Sequence, residues 1–288
     1  MSVRLRFGHR TDFGCTIEQS RYLPWCVAPD RVLVVAPELV RLLWGLGVAL
    51  VPATPEDDAL PLIGVPAPPG VGLPRLWEDP VASSDLARLP RPRVGLCWRG
   101  SGAGNQGVLP DGSDSRDVPA ALLRPVVEEL QGITWIGLQL ADHAHELPIH
   151  GLDTFRVHDF AETAGIIRQL DLVISVDTAV AHLAANLGAP TWVLSPATDA
   201  IKQWPGFTAG PGPFYPSVRV LQQSVPGEWA PLISEIRTAL DADPDVLATV
   251  QRWAEQEGGG EWKVRARVRD ARLAAQGRNI GKGPWDSR

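Results

Sequence analysis

The chain has 288 residues, 44% of them apolar and 21% charged, which suffices for one large or two modest domains of an ordinary soluble globular kind. Its net charge of −6 argues against a general nucleic-acid binder, whose affinity rests on neutralising phosphates, but leaves room for a local anion site. Three scattered cysteines (Cys15, Cys26, Cys97) contain no Cys-x-x-Cys pair, so they offer neither a disulfide framework nor a zinc site. The opening MSVRLRFGHR lacks the apolar run of a signal peptide, and no stretch approaches the ~20 apolar residues of a membrane-spanning helix. The expected compartment is therefore the cytoplasm.

In chain order, Val3, Leu5 and Phe7 alternate with arginines and predict a strand. RVLVVA (31–36) predicts a second, and Pro37 then opens a helix to Leu46 with Leu39, Leu42, Leu43 and Leu46 on one face. A short strand at 48–51 follows. From Pro52 to Pro92 prolines recur and periodicity fades, which predicts irregular structure and a linker. VGLCW (94–98) is an apolar strand that runs into the Gly/Ser/Asp-rich loop 99–117. Beyond it the pattern predicts helices at about 119–130, 161–170, 179–187 and 229–240. Strands are predicted at 133–138, 155–157, 172–176, 191–194 and 218–221. Continuous apolar strands alternating with such helices imply right-handed βαβ units and a parallel sheet covered on both faces. After Asp241 the pattern weakens, and residues 261–288 carry eight Lys/Arg against three Asp/Glu, a locally basic tail.

An open parallel sheet binds ligands beyond the C-terminal ends of its strands, where helix N-termini offer free N–H groups and partial positive charge. Three places meet that description. The first is the loop that begins Arg99-Gly100-Ser101-Gly102 and includes Arg116. It lacks the Gly-Lys-Ser/Thr ending of a Walker loop, and no helix starts at once as a dinucleotide fingerprint requires. The second is DLVISVDTAVAHLAANLGAP (171–190), where a buried strand ends in Asp177-Thr178 and a slim helix begins at Ala179. His182 lies four residues after Thr178, on the same side of that helix. Any lone Asp-Thr or lone His is more often a helix cap or a satisfied core histidine. The third is LSPATDAIKQW (194–204), where Lys202 is within reach of a phosphate.

The segments RVGLCWRGSG, SRDVPAALLRPV, WIGLQL, HDFAETAGIIRQLDLVISVDTAVAHLAANLGAPTWVLSP and GPFYPSVRVLQQ, in that order, resemble glycosyltransferase family 9, the heptosyltransferase-like proteins. The likeness is densest over residues 91–240 and is greatest to the branch fused to tetratricopeptide repeats in bacteria. DFGCTIEQSRYLP (12–24) resembles the family's opening loop and helix at Gly14, Thr16, Ile17, Arg21, Tyr22, Leu23 and Pro24. Cys15 departs from it, standing where the family carries the aspartate thought to be the general base.

This resemblance implies an α/β protein of GT-B-like fold with two Rossmann-like domains. Residues 1–90 would form an abbreviated acceptor-side domain with its linker, 91–240 a nucleotide-sugar-binding domain, and 241–288 the basic tail. It implies inverting, metal-independent transfer from a nucleotide-sugar to a saccharide, lipid-linked or protein acceptor, without a cofactor. The donor would meet Asp177, Thr178 and Ala179 with His182 behind them, together with Arg99, Arg116, Gln139 and Lys202. Asp12, Cys15 and Glu18 would be the catalytic candidates. Because a thiol of unperturbed pKa about 8.5 is a poor base at neutral pH, the alternative is a non-catalytic sugar-nucleotide-binding or scaffold protein.

Overall fold

The computed structural model describes residues 3–7, 17, 31–46, 50–52, 60–62, 76, 86–100, 116–139, 141–155, 157–197, 215 and 217–241. The tail beyond 241 lies outside them. Two parallel sheets organise the described chain. The first contains β1 (Val3–Phe7), β2 (Arg31–Val35), β3 (Leu50–Pro52) and β4 (Leu60–Leu62), in the order β3-β2-β1-β4. Helix α1 (Pro37–Leu43) follows β2, with Pro37 where a missing N–H goes unneeded, and it buries Leu39, Leu42 and Leu43. Strand β4 falls in the stretch expected to be irregular. It sets Leu60 opposite Leu5 in parallel pairing, and three residues are too few to carry a visible period.

The second sheet runs β10-β9-β8-β5-β6-β7. Its members are β5 (Arg93–Cys97), β6 (Thr134–Gly137), β7 (His150–Gly151), β8 (Leu172–Val176), β9 (Thr191–Ser195) and β10 (Val218–Gln222). Four helices accompany them: α2 (Ala120–Glu129), α3 (Phe160–Ile167), α4 (Ala179–Leu187) and α5 (Ala230–Asp241). The strand expected at 155–157 is instead the two-residue β7 followed by a 3-10 turn at Leu152–Phe155. The turn lets both Leu152 and Phe155 enter the core, which an extended segment would send to opposite faces.

Alternation along apolar strands sorts the core into two layers. Leu172, Ile174 and Val176 of β8, with Val94 and Leu96 of β5, pack against Leu123 and Val126 of α2 and Leu232, Ile233 and Ile236 of α5. On the other face Val173, Cys97 and Ile136 join residues of α3 and α4. That layer also takes in Ile17, Leu33 and the α1 leucines, so one hydrophobic cluster joins the two sheets. Each fully buried leucine there is worth roughly 2 kcal/mol of transfer free energy.

Two polar devices reinforce this arrangement. Asp171, just before β8, accepts from the Arg93 amide at 2.8 Å and pairs with Arg91, which ties the chain entering β5 to its neighbour strand. Arg41 of α1 donates through Nη1 to Asp159 Oδ2 at 2.7 Å and to Glu162 Oε1 at 3.2 Å, both at the start of α3. Asp159 also caps α3 by accepting from the Glu162 amide at 2.9 Å. Arg41→Met keeps the apolar stem but removes this fork. The Arg41 side chain is 33% exposed, so the expected loss is modest, about 1–2 kcal/mol. A lower urea midpoint at unchanged slope is the expected reading.

Candidate functional site

From β5 the chain winds outward through β6 to β7, and from β8 it winds the other way through β9 to β10. The winding therefore reverses between β5 and β8, where Cys97 pairs with Ser175. In open parallel sheets such a reversal, beyond the C-terminal ends of the strands, is the usual ligand seat. Residues 98–100 leave β5 there and Asp177–Ala179 leave β8.

The β5 exit is held by a dense polar set. Gln139 Oε1 accepts from the amides of Trp98 and Arg99 at 3.2 and 3.0 Å, and its Nε2 donates to Arg99 O at 3.3 Å. Its carboxamide thus clamps the backbone at the turn. Arg99 lies between two acids, with Nε 3.1 Å from Glu146 Oε2 and Nη1 3.6 Å from Asp117 Oδ2. Asp117 also accepts from the Gly100 amide at 2.9 Å. Glu146 further accepts from Trp98 Nε1 at 2.8 Å and faces His143 Nδ1 at 2.9 Å. Burial pushes the Glu146 carboxyl up, but the Trp98, His143 and Arg99 donors outweigh it and hold the group below its ordinary value. Neither Asp117 nor Glu146 carries a sequence signal that marks it as part of this site. Glu146 sits 47 positions from Arg99 in a short 3-10 turn, with no local pattern to mark it.

The β8 exit is built differently. Thr178 stands at the N-cap of α4 with extended backbone, yet its side chain makes no capping hydrogen bond. Its Oγ1 turns instead to Ser175 Oγ at 3.0 Å. The contrast with α3, whose first turn is capped by Asp159, is chemical: α4 receives no capping hydrogen bond from its N-cap side chain. Thr178 and Ala179 are half-buried at this rim. Arg116 brings a cation to it, donating from Nη1 to Asp177 O at 3.2 Å. Beneath the rim Asp177 Oδ1 lies 3.6 Å from His182 Nε2, and His182 Nδ1 lies 3.4 Å from the Tyr215 hydroxyl. All three side chains are buried.

Cys97 closes the floor. Burial pushes its thiol up to about 11, against the weaker opposing pull of its Thr178 and Ser175 neighbours, so it is a neutral packing group at physiological pH. No group of three or more His, Cys, Asp or Glu able to hold a metal ion occurs among the described residues.

The structure thus brings Arg99, Arg116, Gln139, Asp177, Thr178, Ala179 and His182 to the adjoining exits of β5 and β8 or directly beneath them. Asp12, Cys15, Glu18 and Lys202 lie outside the described residues. Ile17, between Cys15 and Glu18 in sequence, is described: it is fully buried, and its carbonyl accepts from Asn186 Nδ2 of α4 at 2.5 Å.

The architecture is α/β with a parallel six-stranded sheet of Rossmann-like winding, of the GT-B kind. A solved structure with this fold is E. coli ADP-heptose lps heptosyltransferase II, which matches with a TM-score of 0.53 over 89% of this chain and 99% of that one. The two sequences are 13% identical, so the likeness is one of fold. Protein FlbA of Caulobacter vibrioides is 26% identical over 162 residues, covering 52% of this chain and 25% of that protein. The matched part is thus a quarter of that relative's length. No protein-family model matches the chain. No helix among the described residues is long and apolar enough to cross a membrane.

Proposed function

We propose that the chain is a heptosyltransferase-like glycosyltransferase that moves a sugar from a nucleotide-sugar donor to an acceptor hydroxyl in the cytoplasm, with inversion and without a metal. The observation that carries this reading is the start of α4, which its N-cap Thr178 side chain leaves uncapped and beside which Arg116 donates to Asp177 O at the winding reversal of the second sheet. Helix N–H groups and a guanidinium suit the diphosphate of a nucleotide-sugar. The fold it shares with a heptosyltransferase supports the same reading.

In this mechanism the diphosphate lies against the first turn of α4, at Thr178 and Ala179, with Arg116 beside it and Lys202 as a further cation. Asp177 contacts the donor, and His182 fixes its carboxylate from below. Gln139 and Arg99 keep the β5 exit in shape so that the opposite wall does not collapse on the ligand. The acceptor oxygen attacks the anomeric carbon while the bond from that carbon to the phosphate oxygen breaks, and the electron pair departs with the nucleoside diphosphate. The acceptor proton passes to a base in the opening segment, Glu18 or Asp12 serving where Cys15 replaces the family aspartate. Helix dipole and arginine supply the charge stabilisation that a metal gives elsewhere. Turnover should accordingly persist in excess EDTA.

Cys15 favours a second reading, in which the chain binds sugar nucleotides without consuming them. A thermal-shift panel of nucleoside diphosphates and their sugars tests both. A ligand at a hundredfold excess over its dissociation constant stabilises by about 2.7 kcal/mol, a clear rise in melting temperature. A shift accompanied by release of nucleoside diphosphate supports the transferase. A shift without turnover, with activity appearing in Cys15→Asp, supports the binding reading. No shift with any nucleotide refutes the site itself.

A further inference from the structure

Helix α4 is lined with Ala, Leu and Val at its buried positions, except for His182 near its start and Asn186 near its end. Asn186 is 1% exposed. A carboxamide that deep is unfavourable unless its polar atoms are engaged, so its partner is informative. That partner is remote in sequence: Asn186 Nδ2 donates to the carbonyl of Ile17, 169 positions away. Ile17 is itself fully buried in the cluster that joins the two sheets.

The helix therefore has two occupied ends. Its start carries the Asp177–Ala179 rim, and its last turn holds the backbone of the chain's opening segment. Asn186 is seven positions beyond Ala179, about 10 Å of helix at 1.5 Å per residue. Ile17 lies two positions after Cys15 and directly before Glu18, two of the candidates for accepting the acceptor's proton.

We propose that Asn186 is a positioning residue that docks the opening segment onto α4, so that one rigid helix sets the spacing between the donor rim and the acceptor-side base. The inference rests on the glycosyltransferase reading and adds a residue that touches neither substrate. A hydrogen bond suits this task better than apolar packing, because it fixes one backbone atom in direction as well as distance.

The test compares wild type with Asn186→Leu, of similar volume and without a donor, and Asn186→Ser, which keeps a hydroxyl donor. Three readouts are taken on the full chain: amide hydrogen exchange, ADP and UDP affinity, and nucleoside diphosphate release from whichever nucleotide-sugar binds. In Asn186→Leu, exchange in the peptide spanning 12–20 should rise at least tenfold while that of 120–130 stays unchanged. Nucleotide affinity should stay within twofold, and turnover should fall at least tenfold through kcat with KM for the donor unchanged. Asn186→Ser should recover part of the turnover. A residue that only stabilises the fold would instead raise exchange in both peptides and weaken nucleotide binding together, which overturns the proposal. Unchanged exchange in 12–20, or raised exchange with undiminished turnover, overturns it equally. A wild-type chain that neither binds nor consumes any nucleotide-sugar defeats the glycosyltransferase reading, and exchange in 12–20 then decides the docking by itself.

Discussion

Asp177→Ala is expected to lower donor turnover by at least a hundredfold. Asp177 ends β8 with its carbonyl under Arg116 and its carboxylate 3.6 Å from His182. Alanine leaves the strand and the helix start in place but removes the carboxylate buried beneath the rim. The buried imidazole loses that partner, and the donor loses an oriented acceptor for its hydroxyls. Deleting a single preorganised polar group of this kind from an active site costs about 2.7–4 kcal/mol, or 10²–10³ in rate. Initial rates with the donor found by thermal shift provide the measurement, with circular dichroism confirming that the variant is folded. Asp177→Asn separates shape from charge, and turnover should remain low in it if the carboxylate is what counts. An Asp177→Ala rate within threefold of wild type would sink the assignment of this rim.

The largest loss of stability is expected from Gly95→Val. Gly95 lies in the middle of β5, between Ile136 of β6 and Val173 of β8 in the sheet. A Cβ placed there would come within 2.5 Å of Leu170 Cδ1 and 2.8 Å of Leu138 Cδ1. Both neighbours are the ends of leucine side chains, so alanine is partly accommodated by rotation, at about 1–2 kcal/mol. Valine adds two more methyl groups against the same two leucines and is expected to cost roughly 3 kcal/mol or more. For a chain of this size that corresponds to a fall in melting temperature of about 6–12 °C. Gly95 is two residues from Cys97, so displacement of β5 also moves the Trp98–Gly100 exit. Nucleotide-induced stabilisation should therefore weaken along with the fold. A valine variant melting within ~2 °C of wild type would show that this core has room the geometry does not suggest.

What could be read from the amino acids alone divides along physical lines. Strands β5, β8 and β9 were legible because a strand buried on both faces must be apolar throughout, and each is bounded by polar or Gly/Pro residues. Helix α4 was legible because small residues crowd its first turns and Gly188 ends it; the structure has Gly188 at φ 71°, the left-handed conformation that glycine adopts without strain. Strands β4 and β7 were not legible, since two or three residues carry no period and their existence depends on what they pair with. The same limit applies to the site. Arg99, Gln139 and the Asp177–His182 stretch stand out because each directly follows a recognisable strand. Glu146 and Asn186 do not, since their partners lie 47 and 169 positions away and nothing local distinguishes them from a surface acid and a helix-end amide.

The strand orders carry one more consequence. Read outward from its first strand, each sheet places the second and third strands on one side and the fourth on the other: β1 with β2, β3 and β4, then β5 with β6, β7 and β8. The chain has thus executed the same winding twice, and in each half the segment leaving the first strand emerges where the direction of travel inverts. After β1 that segment is 8–16, with Asp12 and Cys15; after β5 it is 98–117, with Arg99 and Arg116. On the proposed glycosyltransferase reading, these two equivalent exits divide the substrates between the halves, the exit after β1 serving the acceptor and the exit after β5 the donor.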